Sequence, residues 1–213
     1  MIKKALKGLL AGFLIGMAGA MFLLARSQGF KFLPALVFPL GLFLICVFKL
    51  DLFTGKVGFF FDKERGIRLS DLVIMLVFNA VGAIIFGLIF VAAIGKDTLA
   101  AAAADSVWQA KFGELSVSSA ALTLLKSALC GMLVYIGVFL FGKSESFGGK
   151  AVAIWLPIAA FVYLGLDHSI ANMFYYAATL KFGFSGAVTL IVAVIGNSVG
   201  AILFDRAIDY INK

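Results

Sequence analysis

The chain has 213 residues, 63% of them hydrophobic and 14% charged, with a mean hydropathy of +1.10. A soluble domain is roughly half apolar and a quarter charged, so too little polar surface exists here to coat a water-facing globule. That excludes a soluble enzyme, a disordered tail and a secreted disulfide scaffold. The 18 Lys+Arg against 11 Asp+Glu leave +7, but the charges fall in short clusters between apolar runs. This is the pattern of loops gripping anionic lipid, not of a nucleic-acid partner. Cys46 and Cys130 lie inside apolar runs, which argues against a disulfide framework.

Six stretches are long and apolar enough for membrane helices, which need about 20 residues. They are Gly8–Ala25, Phe32–Phe48 with a further piece Val57–Phe61, Leu72–Gly95, Leu115–Gly142, Ala151–Leu166 joined to Ser169–Leu180, and Phe182–Phe204. Their length and low β-branched content favour helices over alternating barrel strands. Lys3, Lys4 and Lys7 give the first run the look of a secretory signal, but the run is longer than a signal core of about 7–15 residues. It also carries Gly8, Gly12, Gly16 and Ala20 at every fourth position, a stripe that lets a second helix approach closely in lipid.

Six spans put both termini on one side. Eleven positive charges fall there (Lys3, Lys4, Lys7, Lys56, Lys63, Arg65, Arg68, Lys143, Lys150, Arg206, Lys213) and five on the other (Arg26, Lys31, Lys96, Lys111, Lys181). The bias predicts cytoplasmic termini and an inner, plasma-membrane location. Lys49 and Lys126 lie within spans. The connection Asp97–Glu114, with its alanine run and Trp108, reads either as a helix at the outer interface or as a solvated linker.

The chain repeats itself. Asn79-Ala-Val-Gly-Ala-Ile-Ile-Phe86 recurs as Asn197-Ser-Val-Gly-Ala-Ile-Leu-Phe204 at an offset of 118, and Leu50-Asp51-Leu52-Phe53-Thr54 aligns with Leu166-Asp167-His168-Ser169-Ile170 at 116. The expected organisation is a single transmembrane domain: repeat one at about 5–95, a linker at 96–114, and repeat two at about 115–208. Three spans per repeat is an odd number, so the second repeat enters the membrane inverted. Spans 2 and 5 are interrupted in the middle. Such inverted repeats place a site at mid-depth between two broken helices, where exposed backbone groups need protein or water partners. Asp51 and Asp167 stand where N-caps would hold the restarted helices. His168, the one histidine in the chain, lies beside a break, and an ionisable side chain inside a membrane is costly enough to suggest a pore or proton-transfer role. A metal site is not expected, since no second histidine exists and neither cysteine has ligand spacing around it; no cofactor is indicated.

Phe38-Pro-Leu-Gly-Leu-Phe43, Leu52-Phe-Thr-Gly55, Gly165-Leu-Asp-His-Ser-Ile-Ala-Asn-Met173 and Gly196-Asn-Ser-Val-Gly200 resemble the formate/nitrite transporter family, which includes hydrosulfide channels. The resemblance covers all six spans. It implies an aquaporin-like fold, a homopentamer with a pore in each protomer, and small monovalent anions as substrates. It also implies that His168 is the central pore histidine, that Thr54 bonds to it or to the passing ion, and that Asn197 faces the same chamber. Phe38 and Phe161 match an outer constriction, and Leu42, Leu52 and Phe53 an inner one; ordinary packing is the alternative for each. Asp167 replaces the family's usual glutamate, and Lys49 is a cation where none is expected, counted with the pore residues. A pore-facing asparagine of span 4 falls on Gly131, which tilts the reading toward hydrosulfide. Lys111 is the nearest candidate for the family's outer lysine, although its spacing to span 4 is too long.

The function expected is therefore a channel for formate, nitrite or hydrosulfide, with proton coupling through His168 as an added expectation, since an unperturbed imidazole titrates at about pH 6.5. A neutral-solute pore would want Asn-Pro-Ala turns at the breaks. None occurs, and all three prolines (Pro34, Pro39, Pro157) precede the breaks. An intramembrane aspartyl protease could use Asp51 and Asp167 as a dyad, but Tyr163 stands where its motif needs glycine.

Overall fold

The computed structural model describes residues 2–95 and 98–212. Lys96, Asp97 and Lys213, counted among the charges above, lie outside the described residues. The described residues form helices and their connections, with no strand among them. Four long helices frame the molecule: α1 (Ile2–Ser27), α5 (Leu69–Ile94), α7 (Val117–Lys143) and α10 (Phe184–Ile211). At 26 to 28 residues each they run about 39–42 Å, enough to cross a hydrocarbon layer of about 30 Å.

The remaining apolar runs are divided. The second forms α2 (Leu33–Val37) and α3 (Pro39–Val47), then an irregular stretch, then α4 (Phe53–Lys56) and a 3₁₀ turn over Val57–Phe61. Proline at the start of α3 cannot donate a helical hydrogen bond, so α2 and α3 part at Phe38. The fifth run forms α8 (Phe147–Tyr163), an irregular stretch, and α9 (Ser169–Ala177). The alanine-rich connection is a helix, α6 (Leu99–Phe112), capped by the Thr98 hydroxyl, and it buries Ala100, Ala103, Ala104, Val107 and Phe112.

Two helix pairs organise the core, α1 along α5 and α7 along α10. Small residues set both distances. A Cβ on Gly12 would lie 2.0 Å from the Asn79 carbonyl oxygen, and one on Gly131 would lie 2.1 Å from the Asn197 carbonyl oxygen. The stripe Gly8, Gly12, Gly16 and Ala20 is buried, with the nearest neighbours of its three glycines on α5. Outward faces keep large apolar side chains exposed, among them Val73, Val77, Leu88 and Ile89 on α5, and Ile191, Ile195 and Leu203 on α10. That surface suits lipid or a neighbouring subunit, not water.

Candidate functional site

The two interruptions are built alike. After α3 the chain turns at Lys49, φ +53°, and Leu50 N–H closes on the Ile45 carbonyl at 2.9 Å. After α8 it turns at Gly165, φ +64°, and Leu166 N–H closes on the Phe161 carbonyl at 3.0 Å. Each is a left-handed helix end closed by a six-to-one bond. Glycine takes that conformation without strain and lysine does not. Lys49 is therefore a turn residue; its side chain is exposed and does not line the cavity described below. The expectation that it belongs to the pore is corrected accordingly.

Beyond each turn, an asparagine from a long helix gathers the freed backbone groups. Asn79 Oδ1 accepts from Phe53 N–H at 2.7 Å, and its Nδ2 donates to the carbonyls of Gly8 (2.7 Å) and Asp51 (2.9 Å). Asn197 Oδ1 accepts from Ser169 N–H, and its Nδ2 donates to the carbonyls of Ser127 and Asp167, all at 2.8 Å. The two sets correspond at offsets of 116 to 119. Asn197 is fully buried with both amide protons spent on backbone, so it clamps the break and does not face a chamber. The expected caps are corrected too. The N-cap position of α4 is Leu52, with no side-chain bond, and that of α9 is His168. Asp51 and Asp167 stand one residue too early, and the cap role passes to the asparagines and the imidazole.

His168 is buried, and its Nδ1 accepts from Ala171 N–H at 3.2 Å. Its Nε2 lies 2.9 Å from Thr54 Oγ1, which is itself fully buried on α4. A nitrogen that accepts a backbone N–H carries no proton, so the neutral ring is the Nε2–H tautomer and donates to Thr54. The Phe161 ring stacks on the imidazole at 5.8 Å, and Phe38 meets Phe161 edge-on at 5.6 Å. Leu42 and Leu52 are buried in the same apolar cluster as the two phenyl rings. Phe53 belongs to a second cluster with Val57, Phe59 and Tyr135.

Phe38, Phe161 and His168 border a cavity of about 450 Å³ that also touches Arg26, Lys111, Lys126, Asp167, Asn172 and Tyr175. Asp167 Oδ1 accepts from Lys111 Nζ at 2.5 Å and from Asn172 Nδ2 at 3.1 Å. Lys111 looked too far from span 4 because its reach was counted along the chain; it sits in the last turn of α6, which folds back over the cavity. Gly131 is absent from the lining. It faces the Asn197 backbone, so the amide expected there has no chamber to enter and the tilt toward hydrosulfide loses its basis. Sequence reasoning passed over Lys126 as a cavity residue. The signal was available, since Ser119, Leu122, Thr123 and Lys126 follow a one-face helical spacing and all four line the cavity.

Comparison with known proteins gives a consistent picture. The family model for formate/nitrite transporters matches residues 1–211. The chain is 34% identical over 194 residues to a probable formate transporter of Methanothermobacter thermautotrophicus, covering 79% of this chain and 70% of that one. It is 29% identical over 158 residues to the nitrite transporter NirC of Escherichia coli, covering 72% and 58%. A solved pentameric formate channel with formate bound superposes with a TM-score of 0.82 at 24% identity, covering 99% of this chain and 96% of that one.

Proposed function

This chain belongs to the formate/nitrite transporter family, and on that premise we propose that it is a channel for small monovalent weak-acid anions, formate, nitrite or hydrosulfide. It is a multi-pass membrane protein of a transporter family, not an enzyme. The observation that carries the reading is the single imidazole of His168, held between two restarted helices, bonded to Thr54 and bordering a cavity with three cationic side chains.

The proposed architecture is six spans in two inverted repeats with spans 2 and 5 broken. Four long helices, the paired turns at Lys49 and Gly165 and the paired asparagine clamps support it. A homopentamer is proposed from the related pentameric formate channel and from the exposed apolar faces of α5 and α10. Cytoplasmic termini rest on the charge asymmetry.

An anion entering an apolar slit pays a desolvation cost of order tens of kcal/mol in the idealised limit. Arg26 and Lys126 lower it by concentrating negative charge in the cavity, the charge of Lys111 being met by Asp167. Phe38 and Phe161 form the proposed outer constriction, and Leu42, Leu52 and Phe53 the inner one. Past the phenyl rings the ion meets the His168–Thr54 pair, where the Thr54 hydroxyl accepts from Nε2–H and keeps its own proton to offer as a hydrogen bond. Handing over a proton requires a second one on the ring, and placing it on Nδ1 breaks the cap on Ala171 N–H. Proton coupling through His168 therefore includes a step in which the start of α9 loosens.

The test is uptake of the three anions at equal concentration into proteoliposomes. His168→Phe is expected to abolish uptake while the oligomer still elutes as in wild type. Undiminished flux refutes the role of the imidazole, and fast osmotic swelling without anion flux favours a neutral-solute pore.

A further inference from the structure

Lys126 is the one charged residue in the apolar run Leu115–Gly142. It is the tenth residue of α7, so it lies about 14 Å along the axis from the start of that helix, well within a span. Its side chain is part-buried and lines the main cavity together with Ser119 and Thr123 of the same helix face. The charged groups bordering that cavity divide unequally. Lys111 is already engaged by Asp167 at 2.5 Å, with only 17% and 8% of the two side chains exposed. Glu114 is exposed and accepts from Ser116 Oγ, and Arg26 is exposed. Lys126 has no hydrogen-bond or ion-pair partner among the described residues.

An ammonium inside a span is held at a cost unless it faces water, a carboxylate or an anion. Here no carboxylate takes it, and it faces the space in front of Phe38 and Phe161. We propose that Lys126 forms an anion-binding subsite in this cavity, distinct from His168, and that its positive charge, not that of Lys111, captures a small monovalent anion before the constriction. This rests on the channel reading above. A lysine is a compact, hydrated point charge with no fixed fork, so the subsite sets the affinity of entry and not the choice among formate, nitrite and hydrosulfide.

The experiment is concentration-dependent uptake of each anion into proteoliposomes for wild type, Lys126→Gln, Lys126→Met and Lys126→Arg, with assembly checked by gel filtration. Lys126→Met and Lys126→Gln are expected to raise KM about tenfold for all three anions, the lower end of what a focusing cleft of one sign provides. Their maximal rates stay near wild type, and Lys126→Arg keeps the wild-type KM. The rise of KM with added inert salt is also flatter in Lys126→Gln than in wild type. An unchanged KM in either neutral variant overturns the subsite while leaving the channel reading intact. A KM shift confined to one anion overturns its unselective nature. Absence of any anion flux in wild type sinks the channel reading and the subsite with it.

Discussion

Replacing Asn197 with alanine removes an amide that serves three backbone groups, the carbonyls of Ser127 and Asp167 and the N–H of Ser169. All three bonds are buried, where no bulk water replaces the lost partner. Hydrogen bonds in membrane proteins average only about 0.6 kcal/mol, but a buried backbone group left without a partner costs about 1–3 kcal/mol. Three such groups bracket the loss at about 2–9 kcal/mol. A loss toward the lower end of that range, about 3 kcal/mol, lowers Tm by about 6–12 °C for a chain of this size. Thermal unfolding of the purified oligomer in detergent reads this directly. Because Asn79 makes the same three bonds at 2.7–2.9 Å, Asn79→Ala is expected to lose a matching amount, within about 1 kcal/mol. An Asn197→Ala protein with wild-type Tm and altered transport selectivity would refute this reasoning and return Asn197 to the pore wall.

Gly131→Ala would place a methyl 2.1 Å from the Asn197 carbonyl oxygen. Forcing α7 away from α10 should cost about 3 kcal/mol or more, read as lost oligomer on gel filtration after heating. Lys49→Gly relieves a left-handed lysine at φ +53° and should raise stability by about 1 kcal/mol with transport unchanged, measured by thermal unfolding and uptake together. Thr54→Val strips the acceptor from His168 Nε2. At about 1–3 kcal/mol for the stranded donor, anion flux in proteoliposomes should fall about tenfold.

The apolar runs announced the helices, and the charged pairs at Lys49, Asp51 and Asp167-His168 marked where two of them stop, because an ionisable residue in an apolar run sits where the helix ends or where it faces a cavity. The duplicated Asn79 and Asn197 segments were legible as sequence. Their task was not, since each amide acts on groups 26 to 30 residues away at a break and about 70 residues away on a neighbouring helix. Aspartate is a good cap by type, so local reasoning assigns that role to Asp51 and Asp167; the fold puts a competing amide and imidazole in place first. Gly131 and Lys111 failed for opposite reasons. A glycine carries no sign of whether it yields to a pore or to a helix, and a lysine at the end of α6 is brought to the cavity by a reversal that counting along the chain does not register.

Each asparagine pins one long helix, a carbonyl of its neighbour, and the chain just before and at the start of a restarted half-helix. A restarted half-helix cannot swing as a whole without severing several of these ties together, so the region around the two asparagines behaves as a fixed chassis. Rotation of the Phe38 and Phe161 rings leaves every one of these ties intact, so the space beside His168 can change while that chassis does not.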